Sequence, residues 1–151
     1  MPVLIPASRV ILQVLRDLGH LPPLEDEGEA EPDWKGTYGG GMGTTPDQAV
    51  SISDTVPIVH GSDMRGGLYL KNPGVQVMVR CLPELYDEGH AKGAAIEEAL
   101  EKAANRPVTV AGQDFVLQSF EVSTGLWNFG TEKETNRELF SVNGTCVIRN
   151  G

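Results

Sequence analysis

Three histidines, two cysteines and one glycine run are the places where this sequence could do chemistry. His20, His60 and His90 are far apart, with no i, i+4 pair and no cysteine spacing that would complete a metal set, so they read as solvated side chains. His60, Ser62 and Asp63 supply the residue types of an acyl-transfer triad. No nucleophile elbow surrounds that serine, and adjacency in sequence is poor evidence for triad geometry. The stretch Gly39, Gly40, Gly41, Met42, Gly43, Thr44, Thr45 has the glycine content of a phosphate-cradling loop. A Walker loop needs a lysine before its hydroxyl residue to reach the phosphates, but Gly43 stands there, and Pro46 hinders the helix that should follow. The stretch therefore reads as a loop. No catalytic, cofactor-binding or metal-binding residue is expected, and the chain is not expected to be an enzyme.

Cys81 and Cys146 each sit in an apolar, strand-like run, which predicts buried thiols and a reducing compartment. The formal net charge is −9, and tight binding to a phosphate backbone is not expected, because that affinity comes from Lys and Arg replacing counterions. The acidity is concentrated in Glu25, Asp26, Glu27, Glu29, Glu31 and Asp33, a run that reads as a solvated loop, with an interaction arm or a pore lining as the alternative. Met1 to Pro6 lacks the basic start and long apolar stretch of a signal peptide, and no run approaches the ~20 apolar residues that span a bilayer. A soluble chain made in the cytoplasm, without membrane contact, is the expectation.

These residues must be positioned by the regular elements. The chain has 151 residues, 40% of them hydrophobic, enough for one domain with a substantial core. Its 18 glycines and 10 prolines concentrate between residues 19 and 74, where long loops are expected, with a flexible acidic and glycine-rich region at about 20–48. Val10, Ile11, Val14, Leu15 and Leu18 predict an amphipathic helix over Ala7 to Leu18, with Ser8 as N-cap and Gly19 as the stop. Trp34 to Tyr38 and Gln48 to Ser53 read as strands. Val75, Val77, Val79 and Cys81 alternate with Gln76, Met78 and Arg80, so a strand with the first set inward is predicted.

Residues His90 to Ala104 put Ile96, Ala99, Leu100 and Ala103 on one helical face and Glu97, Glu98, Glu101 and Lys102 on the other, with Asn105 and Pro107 as terminators. The alanines and Gly93 suggest close packing on a sheet. Val108 to Val110, a turn near Gly112, Phe115 to Val122 and Glu138 to Arg149 follow as an antiparallel meander. The sum is an α+β domain, mostly antiparallel sheet with two helices on one face. Trp127 and Phe129 fall in the loop between the last two strands and Leu68, Tyr69 and Leu70 in another long loop. Such groups either fold back on the core or anchor a partner.

Several stretches resemble phage tail-terminator proteins of siphophage-like tails. They are Thr45-Pro46-Asp47 ahead of an alternating strand, Asn72-Pro73-Gly74-Val75-Gln76-Val77-Met78-Val79-Arg80, an Ala- and Glu-rich helix, and Glu138-Leu139-Phe140-Ser141-Val142 leading to Ile148-Arg149. The resemblance covers most of the chain, and the acidic stretch and glycine run depart from it. It implies a homo-oligomeric ring, usually of six subunits, that ends the tail tube at the head–tail junction of the virion. The ring would contact the tail tube protein and the head connector or stopper, and DNA would pass through its lumen without specific binding. In that setting Leu68, Tyr69, Leu70, Trp127 and Phe129 are candidates for subunit contact. Glu25, Asp26, Glu27, Glu29, Glu31 and Asp33 are candidates for a lumen lining that repels phosphate. Another neck ring (a stopper or head-completion protein), a host ligand-binding module and a small hydrolase using His60 and Ser62 are the alternatives.

Overall fold

The computed structural model describes residues 5–23, 31–39, 41–62 and 69–151, and the side chains of all of these except 56–62 and 69–71. Among them, helix α1 (Ala7–Asp17) precedes a short strand β1 (Lys35–Tyr38) and the long pair β2 (Ala49–Ser62) and β3 (Tyr69–Cys81). A 3-10 turn at Pro83–Leu85 leads into helix α2 (Tyr86–Lys102), and β4 (Arg106–Val110), β5 (Gln113–Thr131) and β6 (Glu138–Asn150) follow. The strands form one sheet in the order β1-β2-β3-β6-β5-β4. Every pairing is antiparallel except that of β1 with β2. The α+β class predicted from the sequence is the class observed.

Period-two alternation sorts the sheet into two faces. Val50 and Ile52 of β2, Val75, Val77, Val79 and Cys81 of β3, and Phe140, Val142 and Cys146 of β6 are all buried on one face. Val10, Ile11, Val14 and Leu15 of α1 and Ile96 and Leu100 of α2 join them in a single apolar cluster. Both helices thus cover the same face, as their amphipathic spacing requires, and each large side chain buried there contributes roughly 1.5–3 kcal/mol relative to exposure. The close approach expected of α2 is seen at two glycines. A Cβ on Gly89 would lie 2.3 Å from Cys81 Sγ, and one on Gly93 2.5 Å from Leu126 Cδ1.

Helix ends differ from the sequence expectation in instructive ways. Ser8 is not the N-cap of α1: Pro6 holds that position without a side-chain bond, and Ser8 lies inside the first turn. Its backbone N–H and its hydroxyl donate to the two carboxylate oxygens of Asp54, at 2.9 and 2.7 Å. A carboxylate from β2 therefore caps the helix from across the fold, where negative charge suits the exposed N–H groups. Helix α2 begins at Tyr86 rather than His90, because Pro83 starts a turn that feeds it and Asp87 and Glu88 favour a first turn. The helix stops at Lys102 with Ala103 as its C-cap, so Asn105, at φ 52° in the left-handed region that asparagine tolerates, lies two residues beyond the cap and is not the terminator.

The largest differences are in strand length. Strand β5 runs on past Val122 to Thr131, and β3 starts at Tyr69, so Trp127, Phe129, Tyr69 and Leu70 are strand residues and not loop residues. The outer half of β5 keeps its pairing to β6 through register shifts at Val122/Thr124, Thr124/Trp127 and Asn128/Gly130. Such bulges break the alternation by which a strand is read in sequence.

Candidate interaction surfaces

Leu126 decides where its neighbours point. Its side chain packs at Gly93 of α2, and its backbone N–H donates to Glu97 Oε2 at 3.3 Å. Trp127 must then project from the sheet face away from the helices, and there it stands opposite Ser141 of β6. Phe129 joins it, with ring centroids 5.3 Å apart. The two rings are 44% and 49% exposed, more than any other large apolar side chain among the described residues. Beside them the face is polar: the Ser141 hydroxyl accepts from Gln76 Nε2 at 3.1 Å and from Asn143 Nδ2 at 3.2 Å. A half-exposed aromatic pair rimmed by amides and hydroxyls is the composition of an interface centre.

The other expected contact residues are only partly placed. Tyr69 and Leu70 lie at the start of β3, while their side chains, and Leu68 altogether, fall outside the described residues, as do Glu25, Asp26, Glu27 and Glu29. Glu31 and Asp33 are exposed just ahead of β1. Glu31 lies 2.8 Å from Lys35 Nζ, and hydrogen bonds from Lys35 first and Thr45 second hold its carboxyl below the usual range.

Two arginines escape sequence reasoning. Arg80 was expected outward, and it does leave the helix-covered face, yet it is only 1% exposed. Residues 41–48 fold over it: its guanidinium donates to the carbonyls of Gly43 at 2.6 Å, of Asp47 at 3.3 Å, and of Pro46. Arg137, also buried, donates to the Thr44 carbonyl at 2.8 Å and contacts Asp47 Oδ1 at 3.3 Å and Glu132 Oε1 at 2.7 Å. Glu132 reaches Arg80 as well, at 3.7 Å. Burial, and then the neighbouring Arg137 charge, lower the Arg80 pKa. Two cations face two carboxylates and a set of carbonyls, so the cluster is self-compensated and clamps the glycine-rich stretch to the sheet.

The residues singled out for chemistry are dispersed. His90 is exposed with its ring edge-on to Phe140, at 5.8 Å between centroids. His20 is half-buried in the turn after α1, and the side chains of His60 and Ser62 and all of Asp63 lie outside the described residues. No group of three or more His, Cys, Asp or Glu is placed to hold a metal ion among the described residues. Cys81 and Cys146 are buried free thiols, as expected. Burial and then the Asp54 charge push the Cys146 thiol up to about 12, and burial followed by Glu138 raises Cys81.

One further feature had no sequence signal. A groove of about 730 Å³ lies between α1, β1 and the β4–β5 turn, and its cationic side chains are Arg9, Arg16 and Lys35. No helix among the described residues is long and apolar enough to cross a membrane. The chain matches no protein-family model and no curated protein.

Proposed function

We propose that this chain is a structural subunit of a phage neck, of the tail-terminator kind, which assembles into a ring that ends the tail tube and meets the head connector. The observation that carries the reading is the exposed Trp127–Phe129 pair, held on a strand that α2 anchors through Leu126. Exposed rings fixed on a rigid element suit a contact completed only on assembly, because little side-chain entropy remains to be lost when they are covered. The segment resemblance around Pro73-Gly74-Val75-Gln76-Val77 and Leu139-Phe140-Ser141-Val142 supplies the phage setting.

A ring of identical subunits uses a heterologous contact that closes after a fixed rotation, and so presents the tube with a face it matches and the connector with a different one. In this reading the acidic run that includes Glu31 and Asp33 faces the lumen and keeps passing DNA from being trapped. The test is immunogold electron microscopy of purified particles with antibody against this chain. A single cluster of label at the head–tail junction is expected. Particles without label, and without the chain by mass spectrometry, would remove the reading.

A further inference from the structure

The α1–β1 groove is an electrostatic exception in this molecule. The whole chain carries 12 Lys and Arg against 21 Asp and Glu, yet among the described residues Arg9, Arg16 and Lys35 line the groove and no carboxylate does. Lys35 is matched by Glu31 at the rim. Arg9 and Arg16 make no ion pair among the described residues: Arg9 lies 5.4 Å over the Tyr38 ring, and Arg16 reaches only the Gly36 carbonyl, at 3.4 Å. Arg16 Nε and the hydroxyl of Thr37, a second lining residue, are both buried without a hydrogen-bond partner among the described residues. Orphaned buried donors are uncommon, and a guanidinium is built to meet a carboxylate through two parallel bonds. The Arg80–Arg137 cluster shows the contrast: there no buried nitrogen of either arginine lacks a partner.

Helix α2 carries the opposite charge. Asp87, Glu88, Glu98 and Glu101 are exposed on the side away from Gly89, Gly93, Ile96 and Leu100, with Ala91 exposed in the same row and with Lys102, 2.5 Å from Glu98, as the one exposed lysine there, so acids outnumber it. A short side chain between acids allows close approach of another surface. One molecule therefore bears an unmatched cationic groove on one element and an acid row on another, the two different halves that a head-to-tail contact requires.

We infer that the α1–β1 groove is a docking site for a second copy of this chain, with Arg9 and Arg16 of one subunit receiving exposed carboxylates of α2 on the next. The inference rests on the ring reading and gives it a second, polar contact. Charge pairing of this sort fixes orientation and speeds encounter, while the Trp127–Phe129 rings supply apolar area. Salt weakens the rim of such a contact.

The test is sedimentation velocity of the full chain at low and high salt, with circular dichroism confirming folding. The wild type is expected to self-associate, and less so at high salt. Arg9→Glu with Arg16→Glu, and separately Glu98→Lys with Glu101→Lys, are expected to weaken self-association about tenfold or more, the loss that breaking charge pairs at an interface produces. Mixing the two charge-reversed proteins should restore it. Should the reversed groove fail to fold, Arg16→Gln keeps the stem and removes the charge, and weakening is again expected.

A wild type that stays monomeric throughout overturns both the ring reading and this docking site. If both reversed variants associate like the wild type while Trp127→Ala with Phe129→Ala does not, the ring stands and the groove assignment falls. It falls equally if the mixture fails to reassemble. If phosphate or citrate raises the melting temperature with no change in association, the groove takes a small anion and the docking site is overturned. If charge reversal lowers stability alone, the groove serves the chain's own carboxylates and the proposal is likewise overturned.

Discussion

Individual residues here are decided by which face of the sheet they reach. Cys146 shows it with a measurable consequence. Its thiol is buried beside Pro73, 3.6 Å from that carbonyl, and lifted to about 12 by burial and then by Asp54. A thiol in the unfolded chain ionises near the ordinary value of 9.0, so above that pH the unfolded state sheds a proton that the folded state keeps. The sign follows: the stabilising contribution is complete below about pH 9 and is lost as pH rises towards 12. Urea unfolding at pH 7 and pH 10 should show the decline, and Cys146→Ala, although less stable at pH 7, should show a shallower one. Arg80 makes the complementary case. In an alternating strand a charged residue reads as solvent-facing, and only the tertiary cover of residues 41–48 turns it into one of the most buried side chains. No pattern within β3 could announce that, because the groups satisfying it are carbonyls from a glycine-rich stretch.

At the scale of elements, legibility tracked regularity. The inward set Val75, Val77, Val79, Cys81 and the helical set Val10, Ile11, Val14, Leu15 are read correctly because one period runs through each. The outer half of β5 is illegible for the opposite reason: three register shifts interrupt it, and Ser123, Thr124 and Gly125 look like loop. The aromatic pair was therefore identified as a contact candidate but placed on the wrong kind of element. The capping of α1 was missed because the cap, Asp54, comes from another element. The β4–β5 connection offers a test of local strain. Ala111 and Gly112 occupy it at φ 50° and 76°, the mirror-image turn that suits hairpin twist, and alanine resists the left-handed region. Ala111→Gly is expected to raise stability by about 0.5–1 kcal/mol, read from the urea midpoint at unchanged slope, since relief of strain outweighs the added freedom of the unfolded chain.

For the whole molecule, the two sheet faces divide the labour between stability and contact. One is closed by both helices, and the other carries the arginine clamp at residues 41–48 together with the Trp127–Phe129 pair. Trp127→Ala with Phe129→Ala should leave the melting temperature within a few degrees of the wild type, since both rings are about half exposed and lie outside the apolar cluster. The same substitution should abolish self-association in sedimentation velocity. A large loss of stability instead would mean that the rings belong to the fold and not to a partner.

The sheet order carries a last consequence, for how the molecule comes into being. Strand β6 lies between β3 and β5, although β3 precedes it by the whole of α2, β4 and β5. The β2–β3 pair and the β4–β5–β6 meander can each form from near neighbours, but nothing joins them as a sheet until β6 pairs with the distant β3. Assembly of the sheet is then governed by one late pairing between distant segments, the kind of event that chain topology makes slow. Until it happens β3 and β6 each present a bare edge to any other chain in reach, and newly made molecules are most prone to aggregate in that interval.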